Sequence, residues 1–517
     1  MDNIVDLQAR APESLAHEDA DILSLIFDIN TEVPSIKDAL KFTRISSQVC
    51  RAWRRTALDS TSIWGKLIDL DVLNKVADEW RAEVIKRSGD SPLWIKATAP
   101  MYDNEPRGKA GRIRQFGEHA SRLPEVLFSL LEADWSRIEK LVVWADIAEI
   151  DARRWSAIYR PASRLRVFNL YGDFRSIGAI SATPIFANHA PLLRDFRAGY
   201  MQLTRQLPSS SWLSNILSLC IMAPHTLSNT LNLLQNTPLL ETLFVENVDW
   251  DNVNDMPPRL LQLPNLRVMN LVGHCNSYSV PIPLASIFCL HRGPIQLSIF
   301  AFAIFGHFLP DFLNSYWRVH KPTAIGLDIE DHSFYFHCKG TVDDSTLSIA
   351  THPNPFHLLV VFSLPAFTLY TVTELKLKCY DPLYLFAFGE RLVSFLLLCS
   401  SVKVLITEEG ILQYLPEAQL ETSQTLLPML QTIKLETWSG VSSGIIPFLT
   451  ARIDIGHPVS VLDLTECQSE VALSALEGFA QIMGLTVLWR QQGLENVSEY
   501  QCGRGNSEAL DFHISDE

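Results

Sequence analysis

The chain has 517 residues, 47% of them hydrophobic, enough to bury a large core in two or more structural units. Its net charge of -15 and pI near 5.4 argue against contact with nucleic-acid phosphates, which needs a basic face, so no nucleic-acid partner is expected. Nine cysteines without a CxxC pair read as reduced thiols, neither a disulfide framework nor a zinc ribbon, and imply a cytoplasmic and/or nuclear location.

At the amino end, residues 1–16 read as a flexible tail with neither the basic nor the apolar region of a signal peptide. From Asp19 the chain places Ile22, Leu23, Ile26, Phe27 and Ile29 on one broad apolar helical face. Ser35-Ile-Lys-Asp38 has the spacing of a capping box and opens a second helical stretch, in which Ile45, Val49, Trp53 and Ala57 recur every four residues. Arg51, Arg54 and Arg55 fall mostly to the other side, and Leu58, Ile63 and Trp64 close the unit. The periodicity predicts a small helical bundle over residues 17–68.

Ile22-Leu-x-x-Ile-Phe27, then Val49-Cys-Arg-x-Trp-Arg54, then Leu58 and Ile63-Trp64 stand in the order and spacing of an F-box. The stretch from Trp80 through Lys86-Arg-Ser-Gly-Asp-Ser-Pro-Leu93 is similar to the segment that follows it. The chain thus resembles the F-box proteins with irregular leucine-rich repeats of the expanded basidiomycete fungal family. The resemblance implies a Skp-type adaptor, and through it a cullin scaffold. The adaptor would contact Ile22, Leu23, Ile26, Phe27, Ile45, Val49, Cys50, Trp53, Leu58 and Trp64. Where the family opens its motif with Leu-Pro, this chain has His17-Glu-Asp-Ala20.

Residues 69–132 read as a linker or capping segment. Over residues 133–495 one pattern keeps returning: an apolar residue, two spacers, an apolar residue, one spacer, another apolar residue. Its clearest copies begin at Ile138, Leu165, Leu240, Leu266 and Leu430. Such alternation predicts short strands with one buried face. Leu377, Ile406, Leu435 and Leu464 are spaced 29 residues apart, within the leucine-rich-repeat range, and apolar helical stretches such as those at Leu231 and Leu392 fall between strands. Residues 291–370 read as an insertion, with Ser333–Cys338 and Thr346–Ala350 as extra strands, and residues 496–517 as an acidic tail. The expected fold class is α+β: a small all-helical F-box-like bundle, then an irregular α/β leucine-rich-repeat solenoid with an inserted β segment.

Chemical motifs are sparse. Gly440-Val-Ser442-Ser-Gly444 matches a nucleophile elbow, but Pro447 follows too soon for a long supporting helix, so a serine hydrolase using Ser442 is a remote alternative. His337 and Cys338 on one strand would face opposite sides and cannot share an ion, so no metal is expected. No cofactor is expected, nor an enzyme. The apolar runs 295–305 and 358–370 are shorter than the ~18–20 residues a helix needs to cross a bilayer, so no membrane partner is expected.

About twelve of the excess negative charges lie beyond residue 100, several at strand ends: Asp146, Asp173, Asp328, Glu330, Asp331, Glu408 and Glu409. Aligned in a strand-helix stack, they would form an acidic rim for a protein substrate with a basic surface. The leading expectation is therefore a substrate receptor of a cullin-RING ubiquitin ligase. The alternative is an interaction scaffold that keeps the F-box fold outside a ligase.

Overall fold

The computed structural model describes residues 13–31, 36–73, 76–98, 123–144, 152–171, 183–199, 210–222, 225–246, 248–249, 263–273, 295–301, 313, 316–330, 334–340, 345–351, 369–380, 382–420, 422–438, 444–467, 476–490 and 496–503. The chain is mixed helix and strand, and it divides into two compact units, residues 1–243 and 244–517.

In the first unit, α1 (Glu13–Thr31), α2 (Ile36–Ser46) and α3 (Arg51–Asp59) pack around Phe27, Ala39, Ala57, Ile63 and Leu67. Leu23 and Phe27 are one helical turn apart and enter this core together, with Trp53 edge-on to Phe27 at 5.5 Å between ring centroids. Cys50 caps α3, its sulfur accepting from the Trp53 backbone N–H at 3.5 Å. On α4 (Thr61–Lys66), Trp64 is buried and its indole N–H donates to the Ala57 carbonyl at 2.8 Å. Lys66 ties α4 to Asp28 of α1 at 2.8 Å.

The bundle runs directly into the sheet. β1 (Ile68–Asp69), α5 (Leu70–Leu73) and α6 (Asp78–Arg87) follow, and β1 pairs in parallel with β2 (Leu93–Ala97). A side chain at Gly65 would meet the Pro92 carbonyl oxygen, so only glycine permits that approach. Residues 69–132, expected as a linker or capping segment, thus hold β2, α5, α6, the end of β1 and most of α7 (Leu123–Asp134). α1 likewise opens at Glu13, inside the expected tail.

β2, β3 (Ile138–Trp144), β4 (Val167–Tyr171), β5 (Asp195–Ala198) and β6 (Ser218–Ile221) run parallel in sequence order. Their buried face carries Ile95, Leu141, Phe168, Phe196 and Leu219, covered by an aromatic layer that includes Trp155, Phe186 and Trp212. Phe186 holds φ of 58°, uncommon for a bulky residue, and its ring packs against Phe168, Phe196 and Trp212. Successive strands are also joined just before they begin, Arg166 N–H to Glu139, Arg194 to Arg166, Leu217 to Arg194 and Glu241 to Leu217. The unit continues with β7 (His225–Thr226) and α8 (Leu227–Gln235); β8 (Thr242–Glu246) carries the boundary between the units.

The second unit holds β9 (Val248–Asp249), β10 (Val268–Gly273), β11 (Gln296–Ala301), β12 (Pro322–Ile329), β13 (Phe334–Gly340) and β14 (Thr346–Thr351). After them come β15 (Glu374–Cys379), α9 (Pro382–Leu398), β16 (Val404–Glu408), α10 (Glu409–Leu420), β17 (Thr432–Thr437) and α11 (Ile445–Asp454). β18 (Val461–Asp463), β19 (Thr486–Arg490) and β20 (Val497–Gln501) complete the chain. β10, β11 and β14 pair in parallel; β12, β13 and β14 form an antiparallel meander; β12 then pairs in parallel with β15, and the parallel run continues through β19.

The two extra strands expected within 291–370 are therefore β13 and β14, and the meander places β12 beside β15, away from β11. β20 pairs antiparallel with β19, so residues 497–501 are a strand where a tail was expected. The 29-residue series also needs one correction. The core position opposite Leu377 is Thr407, its hydroxyl donating to the Leu377 carbonyl at 2.9 Å, while Ile406 points to the other face.

Candidate functional site

A helix with two apolar stripes can bury only one of them against a small core. On α1 the stripe through Leu23 and Phe27 goes inward. Ile22, Leu25, Ile26 and Ile29, recurring at i, i+3, i+4 and i+7, remain exposed, with Ile22 at 56%. Phe42 and Ile45 of α2 and Val49 in the following turn repeat the pattern, with Val49 at 60%. Seven large apolar side chains within 28 residues are thus presented to solvent, flanked by exposed Arg44, Arg51, Arg54 and Arg55. Clustered exposure of large apolar side chains is uncommon on a soluble surface and asks for a covering partner.

The ten expected adaptor contacts fall into two groups. Ile22, Ile26, Ile45, Val49 and Cys50 are exposed. Phe27 at 1% and Trp64 at 4% exposure are core residues and offer a partner no surface, which corrects their expected role. Leu23 and Trp53 are partly buried against the same core, and Leu58 is half-buried. Leu25, Ile29 and Phe42 belong to the exposed face but were not among the expected contacts. The missing information was which stripe turns inward.

Of the expected acidic rim, Asp146, Asp173 and Asp331 lie outside the described residues. Asp328 on β12 and Glu408 on β16 flank Lys378 on β15, and both carboxyls are pushed up by burial. Lys376 and Lys378 both bind Glu436 on β17, the first at 2.6 Å. Burial raises the Glu436 carboxyl, but its hydrogen bonds to the two lysines outweigh this and hold it below its ordinary value. Burial likewise pulls Lys378 down, and its bond to Glu436 carries it above its ordinary value. Asp328, Glu408 and Glu436 thus share Lys376 and Lys378 between them across β12, β15, β16 and β17, so most of their charge is compensated within the sheet. Glu330 follows β12 and Glu409 opens α10; both are half-buried.

In the first unit the face of the sheet opposite its core bears a different group. Trp144, 57% exposed, leans on Tyr171 at 5.4 Å, and the Arg197 guanidinium donates to the Tyr171 hydroxyl at 3.1 Å. Trp94 has the Lys66 and Lys140 ammonium groups 4.9 and 5.1 Å from its ring centroid. Their outward positions follow from parity, since Leu141 and Val143 are core and Val142 and Trp144 must point away.

Ser442 lies outside the described residues. On β18, Asp463 accepts hydrogen bonds from the Thr465 backbone N–H and hydroxyl at 3.0 and 2.7 Å. On β13, Cys338 is buried and His337 exposed, on opposite faces as strand geometry requires, with His337 Nδ1 at 2.9 Å from the Ser348 hydroxyl. Among the described residues no helix is long and apolar enough to cross a membrane. No protein-family model matches the chain, and no curated protein does either.

Proposed function

We propose that this chain is the substrate-recognition subunit of a cullin-RING ubiquitin ligase, an F-box receptor whose amino-terminal helices dock on a Skp-type adaptor. The observation that carries this reading is the exposed apolar stripe of α1 and α2, which falls within the segment whose motifs resemble an F-box. Core packing of Phe27, Trp53 and Trp64 supports the same resemblance, because these residues set the angles at which the stripe is displayed.

An irregular leucine-rich-repeat body is supported by parallel strands that follow one another at 23 to 30 residues over much of both units, with helical segments between them. In this reading the body holds the target. Trp144, Tyr171 and Arg197 are the residue types that dominate binding energy at protein interfaces, and they stand on the open sheet face of the first unit.

The mechanism is tethering. Holding a target beside a ubiquitin-charged enzyme makes transfer effectively intramolecular, at an effective concentration of about millimolar, so the receptor needs neither catalytic residue nor cofactor. Such a receptor would work in the cytoplasm or nucleus.

A second reading, an interaction scaffold outside any ligase, is favoured by His17-Glu-Asp-Ala20 standing where the family has Leu-Pro. The test is a pull-down of the full chain from fungal lysate with mass spectrometry. Adaptor and cullin peptides above control are expected; captured proteins without either would favour the scaffold.

A further inference from the structure

Strand register fixes what the outer face of the first unit's sheet displays. Trp94, Lys140 and Asp195 share one row across β2 to β5, and Lys96, Asn169 and Arg197 share the next. Ile95, Leu141, Phe168 and Phe196 between them are core, so both rows point outward, with Trp144 beside Tyr171 in a third. Four strands are about 14 Å wide, the reach of about four to five residues of extended chain.

The carboxylates of this face are held by the chain itself. Asp195 accepts from Arg197 at 3.3 Å and from the Asn169 amide at 3.4 Å. Asp69 of β1, in register with Lys96 and 4.0 Å from it, is buried and accepts from the Asp71 and Val72 backbone N–H groups. Beside the face, Glu139 pairs with Arg166 at 2.9 Å. Lys66 is tied to Asp28, but Lys140 meets no carboxylate among the described residues, and both ammonium groups crowd the Trp94 indole. Three outward cations, Lys96, Lys140 and Arg197, thus stand against two outward carboxylates, in a chain whose net charge is -15. A second group also lacks a partner. Asn169 is 7% exposed, and its Oδ1 accepts no hydrogen bond among the described residues, a costly state for a buried acceptor. Its register neighbour Arg197, with a side chain 37% exposed, reaches the Tyr171 hydroxyl two residues along β4 from Asn169. Moving Arg197 onto a ligand would uncover that acceptor.

We propose that this face binds an acidic, extended segment of the target protein. Its carboxylates sit on Lys140 and Arg197, a backbone N–H on Asn169 Oδ1, and an apolar side chain against Trp144. The inference rests on the reading that the body holds the target, and it names the target's chemistry. The sign is opposite to that of a partner for an acidic rim, because Lys376 and Lys378 compensate the carboxylates of the second unit while Lys140 is left over here.

The test is selection of a displayed random-peptide library on the full chain, followed by fluorescence polarisation of the enriched peptides. Enriched sequences should carry Asp and Glu around an apolar residue. Their Kd should rise at least about tenfold for Trp144→Ala and for Lys140→Glu, and should rise between roughly 0.05 and 0.5 M salt. Trp144 is exposed, so its truncation should leave the Tm unchanged and keeps the question answerable should the charge reversal disturb the sheet. No enrichment, enriched peptides without an acidic excess, or affinities indifferent to the variants and to salt would overturn the proposal. Capture of the adaptor by a chain that selects no acidic peptide removes this inference alone, whereas acidic-peptide binding sensitive to both variants, without adaptor capture, removes the ligase reading and keeps the face.

Discussion

Ile26 and Phe27 are consecutive, yet one is 41% exposed and the other 1%, because each step along a helix turns the side chain by about 100°. Truncating Phe27 to Ala should cost about 3–5 kcal/mol through the cavity left among Ala39, Ala57, Ile63 and Leu67. Ile26→Ala should change stability by no more than about 0.5 kcal/mol. Urea denaturation of both variants checks this, and equal midpoint shifts would contradict the assignment of core and surface. Sequence periodicity located both residues on a helix but could not say which of two apolar stripes faces inward. That depends on where α3 delivers Trp53, which is a tertiary fact. Cys50 shows the same limit: its place in the motif was legible, its capping of Trp53 was not.

Strands β15 and β17 are joined over β16 by Lys376, Lys378 and Glu436. Because the Glu436 carboxyl titrates below its ordinary value of 4.5 in the folded chain, its stabilisation is present above the unfolded pKa and lost as pH falls through the lower folded value. Glu436→Gln should therefore lower stability near pH 7 by about 1 kcal/mol, a charge-assisted bond discounted for partial exposure. The difference should vanish in acid. Thermal melts at pH 7 and in strong acid measure it, and a deficit that persists unchanged in acid would contradict the assigned ion pairing.

At this scale the strands were the most legible part of the fold, since Leu141, Met269 and Ile433 alternate with more exposed neighbours as buried faces require. Thr407 escaped because a hydroxyl in a core slot breaks the apolar pattern while Ile406 beside it fits. The meander order of β12, β13 and β14 escaped for another reason. Alternation fixes which face is buried, but not which strand is the neighbour.

Across the whole chain, the expected boundary near residue 68 proved to be a junction. β1 continues from α4 into pairing with β2, so the helices that present the apolar stripe are fixed to the first unit's sheet. Composition and charge narrowed the function but could not identify it, because a receptor of the kind proposed would keep its chemistry in its partners.

The most direct measurement is a calorimetric titration of the full chain with a purified Skp-type adaptor, wild type against the Ile26→Asp, Val49→Asp double variant. Both positions are exposed, so the variant should melt like wild type. The wild type should bind at about micromolar Kd or tighter, and the variant at least roughly a hundredfold more weakly, since two apolar contacts become buried charges. A wild type that does not bind the adaptor, or a variant that binds it equally well, would contradict the receptor function.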